Sequence, residues 1–327
     1  MTTRRKFIVK GIATGVACTT PAIFAQTSNW PEAPVKIIVP FTAGNASDVL
    51  TRMVAEKLQA RFGQTFLVEN RVGAGGMIGM EAVRNSKPDG YTIASATIGT
   101  LSINQFLYKK MPHDPETDFS YSTLIWENCN VFMVAPQHPA KSLQELISWS
   151  RNQPKGANIG SSAVGTSPYL AAALFRARTG IAATTIPFPG GAQSLTALVG
   201  GDTDFAIDNI ASSLPLIRAG KVRAVAVTSA YRWPTLPNVP TTAEAGVKDF
   251  VLTSWGALVM PKGTPASIVG KLSAAVQAIA ADPAMQQRFM DTGAKSVSST
   301  PAETHAFAAS ERVKWKEAVQ ISGAKLD

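Results

Sequence analysis

Thr42, Asn45, Ser47 and Asp48 come directly after the apolar, β-branched run Val35–Phe41 and directly before a segment of helical period that ends near Leu58. That pattern reads as strand, short polar loop and amphipathic helix. Ser47 or Asp48 is the expected helix cap, and the orphan N–H groups of the first helical turn would line the loop. The chemistry on offer is anion capture by backbone rather than by charged side chains. Three further stretches share this composition and placement: Gly73–Gly79, Ser161–Ser167 and Phe188–Ser194. None of the four loops contains Lys or Arg. In open α/β sheets ligands bind beyond the carboxyl ends of strands, where such loops gather. Together they point to a cleft that holds a small anion with N–H groups, hydroxyls, helix N-termini and water.

Catalytic chemistry finds less support. The three histidines, His113, His138 and His305, lack metal-ligand spacing to one another or to cysteine. Gly160-Ser161-Ser162-Ala163-Val164-Gly165 does not match a nucleophile elbow, so no serine has an evident base. Gly73-Ala74-Gly75-Gly76-Met77-Ile78-Gly79 follows a strand as a dinucleotide fingerprint would, but its glycine spacing is off by one. No acid ends a following strand at the required distance either, since Asp89 stands in a Pro88-Asp89-Gly90 turn. No cofactor is therefore expected. Asp208 ends the apolar strand Phe205–Asp208. A carboxylate there either faces the cleft or accepts from nearby backbone N–H groups.

The elements that must position these loops alternate strand and helix, the pattern of an α/β protein with mostly parallel strands. Strands are expected at Val35–Phe41, Phe66–Asn70, Thr92–Thr97, Asn158–Ser161, Thr184–Pro187, Phe205–Asp208 and Ala224–Thr228. Ser142-x-x-Glu145 and Thr300-x-x-Glu303 fit capping boxes, while Thr264-Pro265 and Asp282-Pro283 open further helices. Two long extended segments, Leu124–Pro136 and Val251–Pro261, sit awkwardly in any βαβ unit. A chain that leaves one domain, builds a second and returns needs two such crossings, with the C-terminal helices packing back on the first domain. About 300 residues normally exceed one core. The expected division is 30–127 with 257–327 as the first domain and 128–256 as the second.

Residues 1–25 read as an export signal. Arg4, Arg5, Lys6 and Lys10 precede the short apolar run Gly11–Cys18, and Ala25 offers a small residue for cleavage before Gln26. Thr3-Arg4-Arg5-Lys6-Phe7-Ile8 resembles a twin-arginine motif, with general secretion as the alternative. Cys18 lacks the leucine of a lipoprotein box, and Cys129, the other cysteine, reads as buried filler. Signal removal leaves 27 basic against 22 acidic residues, scattered rather than striped, so no nucleic-acid partner is expected.

The motifs in order are similar to those of the Bug family, the extracytoplasmic solute receptors of tripartite tricarboxylate transporters. They include Val39-Pro40-Phe41 with Asp48, Val68-Glu69-Asn70-Arg71 with Gly73-Ala74-Gly75-Gly76, and Pro88-Asp89-Gly90-Tyr91-Thr92. Gly165-Thr166-Ser167, Gly200-Gly201, Asp208, Ala219-Gly220-Lys221, Pro237-x-x-Pro240-Thr241 and Glu244-Ala245-Gly246 continue the match over the mature chain. The resemblance implies a two-lobed periplasmic binding protein fold (type II-like), built of two mostly parallel sheets flanked by helices and closing on a hinge of two extended segments. It implies a periplasmic, monomeric, non-enzymatic receptor that grips the carboxylate of a dicarboxylate, tricarboxylate, acidic amino acid or aromatic acid and passes it to membrane transporter subunits. The expected ligand contacts are Phe41, Thr42, Ala43, Asn45, Ser47 and Asp48 in the first loop and Ser162, Gly165, Thr166 and Ser167 in the second. Phe188, Gly190 and Asp208 are expected to complete them. Asn45 and Ala46 stand where the family usually has consecutive glycines, so Asn45 either reaches the ligand or braces the loop. Phe188-Pro189-Gly190 replaces a common Tyr-Lys-Gly and Tyr169 a frequent His, which favours a ligand with a less polar distal end. Other outputs compatible with the residues are an exported enzyme using Gly73–Gly79 for a nucleotide, and a ligand sensor for a membrane kinase.

Overall fold

The computed structural model describes residues 29–322, 325 and 326, so the expected leader at 1–25 lies outside the described residues. The first α/β block runs β1 (Val35–Val39), α1 (Ala46–Phe62), β2 (Phe66–Asn70), α2 (Met77–Arg84) and β3 (Thr92–Thr97). A π-helical turn at Gly99–Ile103 leads into α3 (Asn104–Leu107) and then β4 (Phe119–Val134). The second block is α4 (Leu143–Arg151), β5 (Ala157–Ser161), α5 (Ser167–Thr179), β6 (Ala183–Pro187), α6 (Gly191–Gly200), β7 (Phe205–Asn209), α7 (Ile210–Arg218) and β8 (Arg223–Val227). The chain returns through β9 (Thr253–Pro261) and ends in α8 (Ala266–Ala280), α9 (Pro283–Asp291), β10 (Lys295–Ser296) and α10 (Pro301–Ser322).

Each half holds three parallel strands, β2-β1-β3 in one and β6-β5-β7 in the other. The two expected sheets are joined through one strand. β4 pairs antiparallel with β9 from Phe119 to Cys129, then with β7 from Asn130 to Val134 and with β8 from Val131 to Val134. The two extended segments seen in the sequence are thus a hydrogen-bonded pair crossing from one half to the other. β4 begins five residues earlier than its apolar run, where Ser120, Ser122 and Thr123 interrupt the pattern but still pair with β9 or lie buried beside it.

Local chemistry explains most boundaries. Thr300 and Glu303 form a reciprocal capping box: Thr300 Oγ1 accepts from the Glu303 N–H, and Glu303 Oε2 accepts from the Thr300 N–H. At α4 the Ser142 hydroxyl accepts from the Glu145 N–H, but Glu145 Oε2 takes the Lys141 N–H instead. α8 buries Ile268, Leu272, Val276 and Ile279 in the core that also holds Leu50 and Leu258. α10 departs from the expectation that the C-terminal helices pack on the first domain alone. It lies against the Gly99–Ile103 turn and against α5 of the second half, with Ala308, Trp315 and Val319 in the core shared by Leu170 and Phe175. Both Trp255 Nε1 and Trp315 Nε1 donate to Glu311 Oε2, which ties the return strand to this helix. Cys129 is fully buried, and burial pushes its thiol up to about 12.

Candidate ligand-binding cleft

The cap of α1 is Asn45, not Ser47 or Asp48. Its Oδ1 accepts from the Ser47 N–H at 3.0 Å and from the Ser47 hydroxyl at 3.3 Å. An Asx cap two residues ahead of the donor N–H starts the helix earlier than the Ser-Asp pair implies. Asp48 is buried in the first turn and faces back into the loop. Its carboxylate accepts from the Gly44 N–H, from Arg52 and from Asn70 Nδ2, and Asn70 also donates to the Phe41 carbonyl. Burial opposes the charge of Asp48, but these donors, led by Arg52, outweigh it and hold its carboxyl below the usual range. The loop is therefore shaped by Asn45 and Asp48 together.

The second loop opens α5. Gly165 has φ +84° and needs glycine, because a Cβ there would stand 2.6 Å from Asn104 Oδ1. Thr166 Oγ1 donates to the Ala163 carbonyl, and Ser167 Oγ donates to Asn130 Oδ1 at 3.3 Å. Asn209 Nδ2 donates to the same Asn130 oxygen at 2.6 Å.

These two helix starts face one cavity. Phe41, Asn45 and Ser47 line it from the first loop, Thr166 and Ser167 from the second. Thr97 and Ile98 at the end of β3, Trp126 on β4, Asn209 on β7 and Ser254 on β9 complete the lining. The last five were not singled out in the sequence, although Thr97 and Asn209 end strands and Trp126 and Ser254 lie on the two extended crossings. No lining residue is charged, and the enclosed space is about 20 Å³. That is roughly the room one water needs.

The rims meet above it. Thr42 Oγ1 donates to the Pro189 carbonyl, and a Cβ on Gly190 would lie 2.6 Å from that Thr42 oxygen. A Cβ on Gly99 would collide with the Gly165 carbonyl. Thr42 and Phe188 are half-buried and Ala43 is exposed, outside the lining. The Gly73–Gly79 loop backs the first one, with Gly76 against Phe41 and Thr100, and Gly79 against Pro40. Gly75 also comes close to the Val164 carbonyl and to Gly165.

Asp208 sits on the other face of the sheet. It pairs with Val131, whereas cavity-lining Asn209 pairs with Asn130, and neighbouring strand residues point to opposite faces. Its Oδ1 accepts from the Asn209 N–H at 2.7 Å and from the Ser162 hydroxyl at 3.3 Å, beside Gly191 at the start of α6. Full burial raises its carboxyl to about 7, against the opposing pull of these donors.

Two α/β halves joined by paired crossing strands, with a helix start from each facing a common cleft, define the class of two-lobed solute-binding proteins. A family model described as "Tripartite tricarboxylate transporter family receptor" matches residues 50–324, and the chain belongs to that family. It is similar to Protein BugT of Bordetella pertussis, 34% identical over 95% of this chain and 97% of that protein. Among solved structures it resembles an R. palustris protein solved with adipate, at TM-score 0.88 and 35% identity, covering 91% of this chain and all of that one. It also resembles MatC from Rhodopseudomonas palustris with bound malate, at TM-score 0.82 and 30% identity over 89% of this chain and all of that one. A third solved structure that it resembles is the periplasmic binding protein BugD, at TM-score 0.85 and 33% identity over 90% of this chain and 99% of that one. Among the described residues no helix is long and apolar enough to cross a membrane.

Proposed function

We propose that this chain is a periplasmic receptor that captures a small organic acid between its lobes and delivers it to a tripartite tricarboxylate transporter. One observation carries the reading: the starts of α1 and α5, one from each half, contribute Asn45, Ser47, Thr166 and Ser167 to a single cavity lined by no charged side chain. Helix N-termini carry partial positive charge and unsatisfied N–H groups, so two facing one space suit one carboxylate. The adipate and malate found with related structures fit that chemistry. Residues 30–127 with 257–327 form the first lobe and 128–256 the second, with β4 and β9 as the hinge between them and α10 reaching across to α5 of the second lobe. The protein acts as an exported monomer without enzymatic turnover. Because the cavity has room for about one water, a ligand enters only when the lobes part, and it favours closure by as much as it prefers the closed state.

A thermal-shift panel of organic acids, acidic amino acids and aromatic acids tests the assignment. At least one carboxylate is expected to raise the melting midpoint in a concentration-dependent way, as ligand binding to the native state requires. A flat response across the panel would contradict it.

A further inference from the structure

The two crossing strands do more than connect the lobes. From Trp126 to Asn130 the register of β4 is regular: Trp126 opposes Gly256, Asn128 opposes Ser254 and Asn130 opposes Asn209. Alternation along a strand puts these six residues on one face, in a polar stripe running from the first lobe to the second. Trp126, Ser254 and Asn209 of that stripe line the cavity. The Trp126 indole lies against Gly256, where any Cβ would collide with the ring.

Three buried groups of the stripe lack partners among the described residues: Trp126 Nε1, both amide atoms of Asn128, and Asn130 Nδ2. Trp126 is 1% exposed, and Asn128 and Asn130 are wholly buried. Buried polar groups are nearly always hydrogen-bonded, so a run of three on the strand face whose Trp126, Ser254 and Asn209 line the cavity calls for partners from outside the chain. The set is mixed. Trp126 and Asn130 offer N–H donors, whereas Asn128 offers a donor and an acceptor. A carboxylate only accepts, so it would leave the Asn128 acceptor unpaired. It would also add a second charge to a cavity with no cation to balance it.

We propose that the floor formed by Trp126, Asn128 and Asn130 sets ligand specificity. The receptor selects an acid with one carboxylate and, further along, a neutral group that both donates and accepts, namely a carboxamide or a hydroxyl. This rests on the carboxylate-receptor reading above. The carboxylate sits at the two helix starts and the neutral group on the floor. Because the floor belongs to the crossing strands, the ligand reports its far end to the hinge itself.

The test pairs isosteres by calorimetric titration of the full mature protein: adipate against its monoamide, and succinate against its monoamide. In at least one pair the monoamide is expected to bind about tenfold more tightly, the size of one or two well-made hydrogen bonds. In the wild type its binding should also shift one of the six indole N–H resonances in the NMR spectrum. Trp126→Phe should remove that shift and weaken the monoamide about fivefold to tenfold. The isostere comparison needs no variant, so it stands even where Trp126→Phe folds poorly. Dicarboxylates binding as tightly as their monoamides, or an indole spectrum indifferent to ligand, would overturn this inference and leave the carboxylate reading intact. Binding by no acid in these pairs or in the thermal-shift panel would overturn both.

Discussion

Asp48 and Asp208 illustrate how one residue type takes opposite roles from its surroundings. Asp48 is held ionised by Arg52, the Gly44 N–H and Asn70, so its contribution to stability is present above the unfolded aspartate range near 4 and fades as pH falls through its lower folded value. Asp48→Ala should cost about 1–2 kcal/mol in a denaturant melt at neutral pH, with a smaller difference at pH 3. Asp208 runs the other way. Its folded value near 7 lies above the unfolded one, so its favourable contribution is complete below about pH 4 and is lost as pH rises through 7. Melting curves from pH 5 to 8 should therefore show the wild type losing stability relative to Asp208→Asn. A constant difference across that range would mean that the carboxyl does not titrate there. Neither role could be read from residue type alone. The loop and the strand end both placed an acid at a helix start or strand end, and only the register of Asp208 with Val131 shows which face it takes.

At the scale of elements the sequence was legible where periodicity and turn chemistry agree. Phe66–Asn70 and Thr92–Thr97 form as strands with the expected limits, and Pro265 and Asp282 stand just ahead of α8 and α9 as read. The cap of α1 lies two or three residues before the expected one because Asn, Ser and Asp are all good caps and stand within four residues of one another. The two crossings were visible as apolar runs ending in proline, but their pairing with each other was not, since partner choice between distant strands leaves no local mark. The same limit hid Trp126, Asn209 and Ser254, which become floor residues only through that register. The Gly73–Gly79 loop shows a related ambiguity: its glycines allow close packing on Pro40, Phe41 and Gly165, which composition cannot separate from phosphate binding. The start of α5 depends on Gly165 in the left-handed region. Gly165→Ala should destabilise the protein by at least about 1 kcal/mol in a thermal or denaturant melt, from backbone strain with the Asn104 contact added.

At the scale of the whole molecule, the two halves touch at two rims. Gly99 and Gly165 meet at one rim, Thr42 and Pro189 at the other, and α10 spans both halves behind them. A methyl group at Gly99 would wedge the first contact apart. Gly99→Ala should therefore enlarge the radius of gyration measured by X-ray scattering and weaken ligand binding about tenfold by depopulating the closed form. An unchanged scattering profile would mean that this rim does not limit closure. The central claim is that one carboxylate is held jointly by the starts of α1 and α5 using neutral donors. Calorimetric titration of the tightest acid from the panel into wild type and into a Ser47→Ala/Ser167→Ala double variant tests it most directly, because one hydroxyl is removed from each lobe. The expected result is a loss of at least about tenfold in affinity, with the empty protein still folded and destabilised by about 1–3 kcal/mol for the lost Ser47–Asn45 and Ser167–Asn130 hydrogen bonds. An affinity equal to that of the wild type would contradict it.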